Sequence, residues 1–156
     1  MFTFKDIIAF AVQIESNGEE IYRRALLRNA SPELSRLLEW IADEEARHGE
    51  WFEELARTAE PVPAESAMEK MGRIMLRSTL QDQSFTLDET DLSRVEDAER
   101  LLAMSIEFEQ DTVAFYEMMR PFLQDPEAAA ALDRIIEEER RHVEKLTALK
   151  KEMVSV

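Results

Sequence analysis

The sequence predicts an all-α fold: a four-helix bundle of two antiparallel hairpins joined by one long crossover. Three observations predict it. Gly and Pro are scarce, 3 and 5 in 156 residues, while Glu, Leu, Ala, Arg and Met dominate. Those are the residues that lose least in a helix. Four long stretches space their apolar residues alternately by three and four, as helices facing a bundle interior do. The chain also repeats itself. A shift of 94 residues carries Ile41 to Ile135, Glu45 to Glu139 and His48 to His142, with no gap needed from about Ala9 to Leu55.

The first helix is expected from Thr3, its N-cap, to about Asn29. The second opens at "SPEL", where Ser31 caps, Pro32 suits the first helical position and Glu33 meets the positive end of the dipole. It runs to about Ala59, where "EPVP" at 60–63 stops it. The third spans about Ser93 to Arg120, ahead of Pro121, and the fourth starts at "DPEA", with Asp125 as cap, and continues to near Met153. Between Pro61 and Leu92, residues 64–80 are expected to add a crossover helix with Met68, Met71, Ile74 and Met75 on one side, followed by the turn-like "QDQSFTLDETDLS". Short loops within each helix pair imply antiparallel hairpins. One domain over 1–156 then divides into hairpin one (about 3–59), crossover (about 60–92) and hairpin two (about 93–153).

The net charge is −15, from 19 basic and 34 acidic residues. Nucleic acid is not an expected partner, because phosphate binding needs a basic face. Cys is 0, which excludes disulfides, iron–sulfur clusters and thiolate zinc sites within the chain and fits a reducing compartment. "MFTFKDIIAFAVQIE" has no basic stretch ahead of a long apolar core, and Glu15 interrupts it, so neither a signal peptide nor a membrane span is expected. A cytoplasmic location is the expectation.

The chemistry lies on the inward seam. Helix one reads Phe4, Ile8, Ala11, Glu15, Gly18, Tyr22, Ala25, and helix two Leu34, Leu38, Ile41, Glu45, His48, Phe52, Leu55. Helix three reads Ala98, Leu102, Ser105, Glu109, Thr112, Tyr116, Met119, and helix four Ala128, Leu132, Ile135, Glu139, His142, Leu146, Leu149. Each seam holds one Glu among apolar residues, and helices two and four add the only two histidines one turn later. Glu15 and Glu45 are equidistant from residue 30, and Glu109 and Glu139 from residue 124, so antiparallel pairing sets each pair at one level. A single inward Glu is usually a misread surface position, and a lone His on an apolar face is usually a satisfied core residue. Six such residues at matched heights in two copies need a common cause. Four buried carboxylates cannot stay ionised together without a cation. Two divalent metals resolve this, and the ligand types admit iron, manganese or zinc.

Tyr22 and Tyr116 fall two turns after Glu15 and Glu109 and need buried hydroxyl acceptors, for which a ligand carboxylate is the natural candidate. Asp43, Glu44, Glu50, Glu53 and Glu54, with Arg47, read as a solvated helix back. Trp40 and Trp51 fall off the seam and are expected to pack on the crossover or a second subunit.

"IESNGEEIY", "IADEEARH", "FEQDTVAFY" and "IIEEERRH" resemble the ferritin-like domain of rubrerythrins, across both hairpins. The resemblance implies a ferritin-like bundle holding two iron ions. Glu15, Glu45, Glu109 and Glu139 would be carboxylate ligands, with Glu45 and Glu139 bridging, and His48 and His142 each capping one metal. Tyr22 and Tyr116 are similar to the family's tyrosines that support those ligands. It further implies a peroxidase reducing peroxide or oxygen in oxidative stress, with ferroxidase activity as the close alternative. A non-catalytic bundle holding iron or zinc for storage, sensing or structure is the reading from another class. Full rubrerythrins append a rubredoxin domain with two Cys pairs; this chain has no Cys, so a peroxidase would need an external electron donor. Rubrerythrins also carry an extra Glu one turn from the helix-three ligand. Here Ile106 and Thr112 stand one turn either side of Glu109, a symmetric set more like bacterioferritin. A homodimer is expected, as is common among ferritin-like proteins.

Overall fold

Four long helices carry the architecture in the computed structural model: α1 (Phe4–Ala25), α2 (Pro32–Thr58), α3 (Val95–Met119) and α4 (Pro126–Val154). It describes residues 3–28, 30–63 and 91–155, with 66, 68, 70, 71, 73 and 74 between them. No strand occurs among the described residues beyond one isolated bridge. Helix α1 packs along α2 and α3 along α4, and α2 meets α4 across the bundle. The fold is the all-α four-helix bundle that the periodicity predicts.

The helix ends follow local chemistry. Thr3 and Asp6 form a capping box: the Thr3 N–H donates to Asp6 Oδ2 at 2.7 Å and the Asp6 N–H to Thr3 Oγ1 at 3.4 Å. Ser31 Oγ accepts from the Leu34 N–H at 3.2 Å, and Asp125 Oδ2 from the Ala128 N–H at 2.9 Å, each just before a Pro at the first helical position. Helix α1 stops at Ala25, earlier than expected, because the Leu27 and Arg28 N–H groups turn to the carbonyls of Arg24 and Ala25, three residues back. Helix α3 starts at Val95 behind a turn in which Asp91 Oδ1 accepts from the Ser93 N–H and hydroxyl. Pro121 lies inside a 3₁₀ turn, Arg120–Phe122, that tightens the end of α3.

All predicted seam residues are buried except Leu55, Ala128 and Leu149, which are half-buried. The buried face is wider than that seam, for Ile7, Ile14, Ala42, Leu101, Phe115, Ala129 and Ile136 are also buried. The core forms two apolar clusters. One holds Phe4, Ile8, Phe52, Tyr116 and Leu132; the other holds Tyr22, Leu34, Leu38, Leu102 and Leu146. Each buried large side chain stabilises the fold by about 1.5–3 kcal/mol. Each helix passes through both clusters, and between them it places one Glu of a polar layer. That layer costs stability, so the two clusters must carry it.

The chain leaving α2 returns to the start of α1. Thr3 pairs with Pro63 in an antiparallel bridge, and the Phe4 N–H donates to the Val62 carbonyl at 2.7 Å. Of the expected crossover stripe, Met68 is buried in the first cluster, Met71 packs against it half-buried, and Ile74 is exposed. Met75 and residues 81–90 lie outside the described residues. Trp51 packs on Phe52, ring centroids 4.9 Å apart, beside that same cluster. Among the described residues, no helix is long and apolar enough to cross a membrane.

Candidate metal centre

The helical spacing that buries Glu15, Glu45, Glu109 and Glu139 also brings them together, with His48 and His142 one turn beyond Glu45 and Glu139. All six are 0% exposed. The imidazole rings lie nearly parallel, centroids 6.1 Å apart. Glu139 reaches both: its Oε1 is 2.7 Å from His48 Nδ1 and its Oε2 2.9 Å from His142 Nδ1. Glu15 Oε2 lies 3.6 Å from His48 Nδ1, and Glu109 Oε2 3.7 Å from His142 Nδ1. Glu45 Oε1 lies 3.3 Å from His142 Nδ1.

Two four-residue groups emerge whose donor atoms lie within 4.8 Å of one another: Glu15, Glu45, His48, Glu139 and Glu45, Glu109, Glu139, His142. Glu45 and Glu139 belong to both. Close approach is not satisfaction here. Both oxygens of Glu45 and of Glu139, Glu15 Oε2, Glu109 Oε2 and both Nδ1 atoms are buried without an aligned hydrogen-bond partner. Buried polar atoms are almost always bonded. A set of oxygen and nitrogen donors that converges yet stays unbonded fits two divalent cations.

Burial raises the Glu15, Glu45 and Glu109 carboxyls, Glu109 to about 7, and repulsion from Glu139 adds to it in each. Burial also works against Glu139, but the two imidazoles outweigh it and hold that carboxyl well below its usual range. Burial opposes the charge on His48, yet Glu139 and Glu15 push it up to about 10; Glu109, Glu139 and Glu45 raise His142 against the same opposition. In protein without metal, both imidazoles are therefore held protonated beside these carboxylates.

Outside the ligand atoms, some contacts are matched and others are not. The Tyr22 hydroxyl donates to Glu109 Oε1 and the Tyr116 hydroxyl to Glu15 Oε1, each reaching across to the other hairpin. Burial, then the facing carboxylate, keeps both phenols protonated as donors. The imidazole Nε2 atoms differ. His48 Nε2 lies 2.9 Å from Glu138 Oε2, and the Arg47 guanidinium holds Glu138 at 2.9 Å and Glu44 at 3.0 Å. His142 Nε2 has no hydrogen-bond partner among the described residues, and Trp40 stands edge-on to its ring at 5.1 Å.

Gly18 leaves room for the Glu45 carboxylate. A Cβ there would overlap Glu45 Oε2 and lie 3.2 Å from the Phe108 ring. Its counterpart Thr112 is buried, and its hydroxyl donates to the Phe108 carbonyl at 2.9 Å, within its own helix.

The structure therefore brings together every site residue expected from the sequence. It revises the surroundings. Arg47 is exposed, as a solvated back requires, but its guanidinium also ties the half-buried Glu44 on α2 to Glu138 on α4, and Trp40 packs edge-on with His142. Glu138 was missed. The paired strings "EEARH" and "EERRH" carry the signal: one acid before the inward Glu and one Arg before the His, in both copies. Glu44, His48 and Glu138 also gather donor atoms, but the Arg47 guanidinium already supplies the cation there.

Comparison with known proteins agrees with this fold. The rubrerythrin family profile matches residues 6–150. A crystal structure from Thermotoga maritima, described as that of a ferritin-like diiron-carboxylate protein, superposes with a TM-score of 0.75 at 22% identity, covering 96% of this chain and 95% of the other. A hypothetical protein of Pyrococcus furiosus superposes with a TM-score of 0.75 at 16% identity, covering 99% and 92%. At these identities the two structures speak for the fold alone. No curated protein matches the sequence.

Proposed function

The chain belongs to the rubrerythrin family, and from that premise we propose that it is a di-iron carboxylate oxidoreductase reducing peroxide, or alternatively oxygen, inside the bundle. The single observation that carries this reading is the buried, unbonded donor set of Glu45 and Glu139 between two imidazoles. One ion would be held by Glu15, Glu45, Glu139 and His48, and the other by Glu45, Glu109, Glu139 and His142. When bound, two iron ions supply the electrons for reducing the oxidant.

The protein's own part follows from the geometry. Glu139, next to both imidazoles, ties the two positions together. Tyr22 and Tyr116 fix the carboxylates of Glu109 and Glu15 and leave one oxygen of each facing the centre. The apolar clusters on either side exclude water, so the fixed carboxylates act in a medium of low dielectric. For peroxidase turnover an external electron donor completes the cycle. A second reading, ferroxidase, rests on Thr112, whose hydroxyl is tied to its own helix and adds no seventh donor. A homodimer remains part of the proposal.

The test is stopped-flow absorbance on protein loaded anaerobically with Fe(II). Faster oxidation by peroxide than by oxygen supports the peroxidase, and the reverse order the ferroxidase. Oxidation no faster than free Fe(II) with either oxidant overturns both and leaves a metal-holding protein.

A further inference from the structure

The ligand sets of the two metal positions are related by the 94-residue repeat: Glu15 with Glu109, Glu45 with Glu139, His48 with His142. The tyrosine donors to the terminal carboxylates are related in the same way. The groups around the outer nitrogens of the imidazoles break that relation. His48 Nε2 lies 2.9 Å from a carboxylate oxygen of Glu138, which Arg47 holds in place. The counterpart of Glu138 is Glu44, and Glu44 is engaged by the same Arg47 at 3.0 Å, so it does not serve His142. Arg141, the counterpart of Arg47, is exposed. On the His142 side stands Trp40, with Lys145 Nζ 5.4 Å from its ring centroid. An indole offers an N–H donor and hydrocarbon, not a carboxylate acceptor.

We infer that the two metal positions are unequal: the position at His48 binds a divalent cation more tightly and fills first, and Glu138, braced by Arg47, is the positioning residue responsible. The physical reason is the partner of the second ring nitrogen. A His that donates its outer N–H to a carboxylate has its tautomer and ring orientation fixed. Its inner nitrogen lone pair then faces the metal, with raised basicity. Losing such a partner typically weakens metal affinity about 10–100-fold. His142 has none among the described residues, so its ion is the more readily exchanged. An asymmetric pair of this kind would hold one ion firmly while the other is loaded or released.

The inference rests on the di-metal reading, and the test separates the two. Metal-free protein is titrated with Co(II) alone, followed by calorimetry and by the visible absorption of bound Co(II). The wild type is expected to show two steps separated by about 10–100-fold. Glu138→Ala is expected to weaken the first step by that factor and spare the second, leaving two sites of similar affinity. Glu138→Gln keeps a neutral acceptor and is expected to fall between. Arg47→Gln, which removes the brace but not the acceptor, is expected to weaken the first step less than Glu138→Ala. Glu137→Ala, one residue away and paired with Arg140 at 3.0 Å, is expected to leave both steps unchanged. A purely structural role for Glu138 would lower both steps together, whereas positioning lowers one. Should Glu138→Ala not fold, the Gln and Arg47 variants decide. Two equal sites in the wild type, or loss from both steps or from the second alone in the variants, overturns the inequality. Absence of Co(II) uptake overturns the metal reading, and stepwise uptake without Fe(II) oxidation overturns only the oxidoreductase reading.

Discussion

The first hairpin places Gly18 where the second places Thr112, and Trp40 where the second places Arg134, although both present the same Glu, Glu-x-x-His and Tyr. The metal-facing residues, the two tyrosines and the Glu and Arg beside each Glu-x-x-His are duplicated; Gly18 and Trp40, which shape the surroundings, are not. Glu139 touches both imidazoles, whereas Glu45, its counterpart, approaches only His142 and leans its Oε2 against Gly18. Duplication thus sets the donor inventory. The different surroundings decide where each carboxylate rests, so breaking a matched pair of residues should give unmatched results.

The largest difference is expected between Glu139→Ala and Glu45→Ala. Removing Glu139 takes the carboxylate between both imidazoles, and metal analysis should find neither ion retained after dialysis. Removing Glu45 should leave one ion per chain. Equal loss in both variants would show that the asymmetry of Glu45 does not survive metal binding.

Gly18→Ala and Thr112→Ala form the next contrast. A methyl at Gly18 must displace the Glu45 carboxylate, the far end of a flexible side chain, so the protein should fold with metal affinity lowered about 10–100-fold, the range for disturbed ligand support. Thr112→Ala removes a hydroxyl bonded only within its helix and should change affinity less than about threefold, a loss comparable to one ordinary hydrogen bond or less. Co(II) titration of the two variants measures both.

The tyrosines should behave alike, which tests the matched side of the comparison. Tyr22→Phe and Tyr116→Phe each leave a buried carboxylate oxygen without its donor, costing about 1–3 kcal/mol in the metal-free protein. Thermal unfolding should show the two losses agreeing within about 0.5 kcal/mol, the usual scatter for independent sites.

The effect of pH is the most gradual, spread over several units. Burial raises Glu109 to about 7, and Glu139 and Glu15 raise His48, against burial, to about 10. Raised values mean that folding takes up these protons, so the stability they give is complete below the unfolded values. It is lost as pH rises, for Glu109 between about 4.5 and 7 and for His48 between about 6.5 and 10. Metal displaces the same protons, and its affinity should move the opposite way, about tenfold per pH unit for each proton released. Melting temperature of the metal-free protein should therefore fall, and Co(II) affinity rise, from about pH 5 to about pH 8, within the window those values set. A flat affinity over that range would mean that no protons are exchanged for metal.

Much of the molecule is set by local physical chemistry and is legible in the chain. Thr3, Ser31 and Asp125 cap helices because their side-chain oxygens reach the free N–H groups of the next turn. The three-and-four spacing fixes which residues face inward, and equal distances from the two loops fix the level of the four carboxylates. Those rules need only the helix and the hairpin, so Glu15, Glu45, His48, Glu109, Glu139, His142 and both tyrosines could be placed before any coordinates. The wider apolar face was less legible, because Ile7, Ile14 and Phe115 sit one position off a seam that only packing could broaden. Tertiary structure alone decided which acid serves which imidazole. Glu44 and Glu138 occupy equivalent places in the repeat, and a single guanidinium between α2 and α4 holds both, leaving Glu138 for His48 and no acid among the described residues for His142. Local sequence cannot express that choice, because the two competing groups are distant in the chain and meet only where the helices cross.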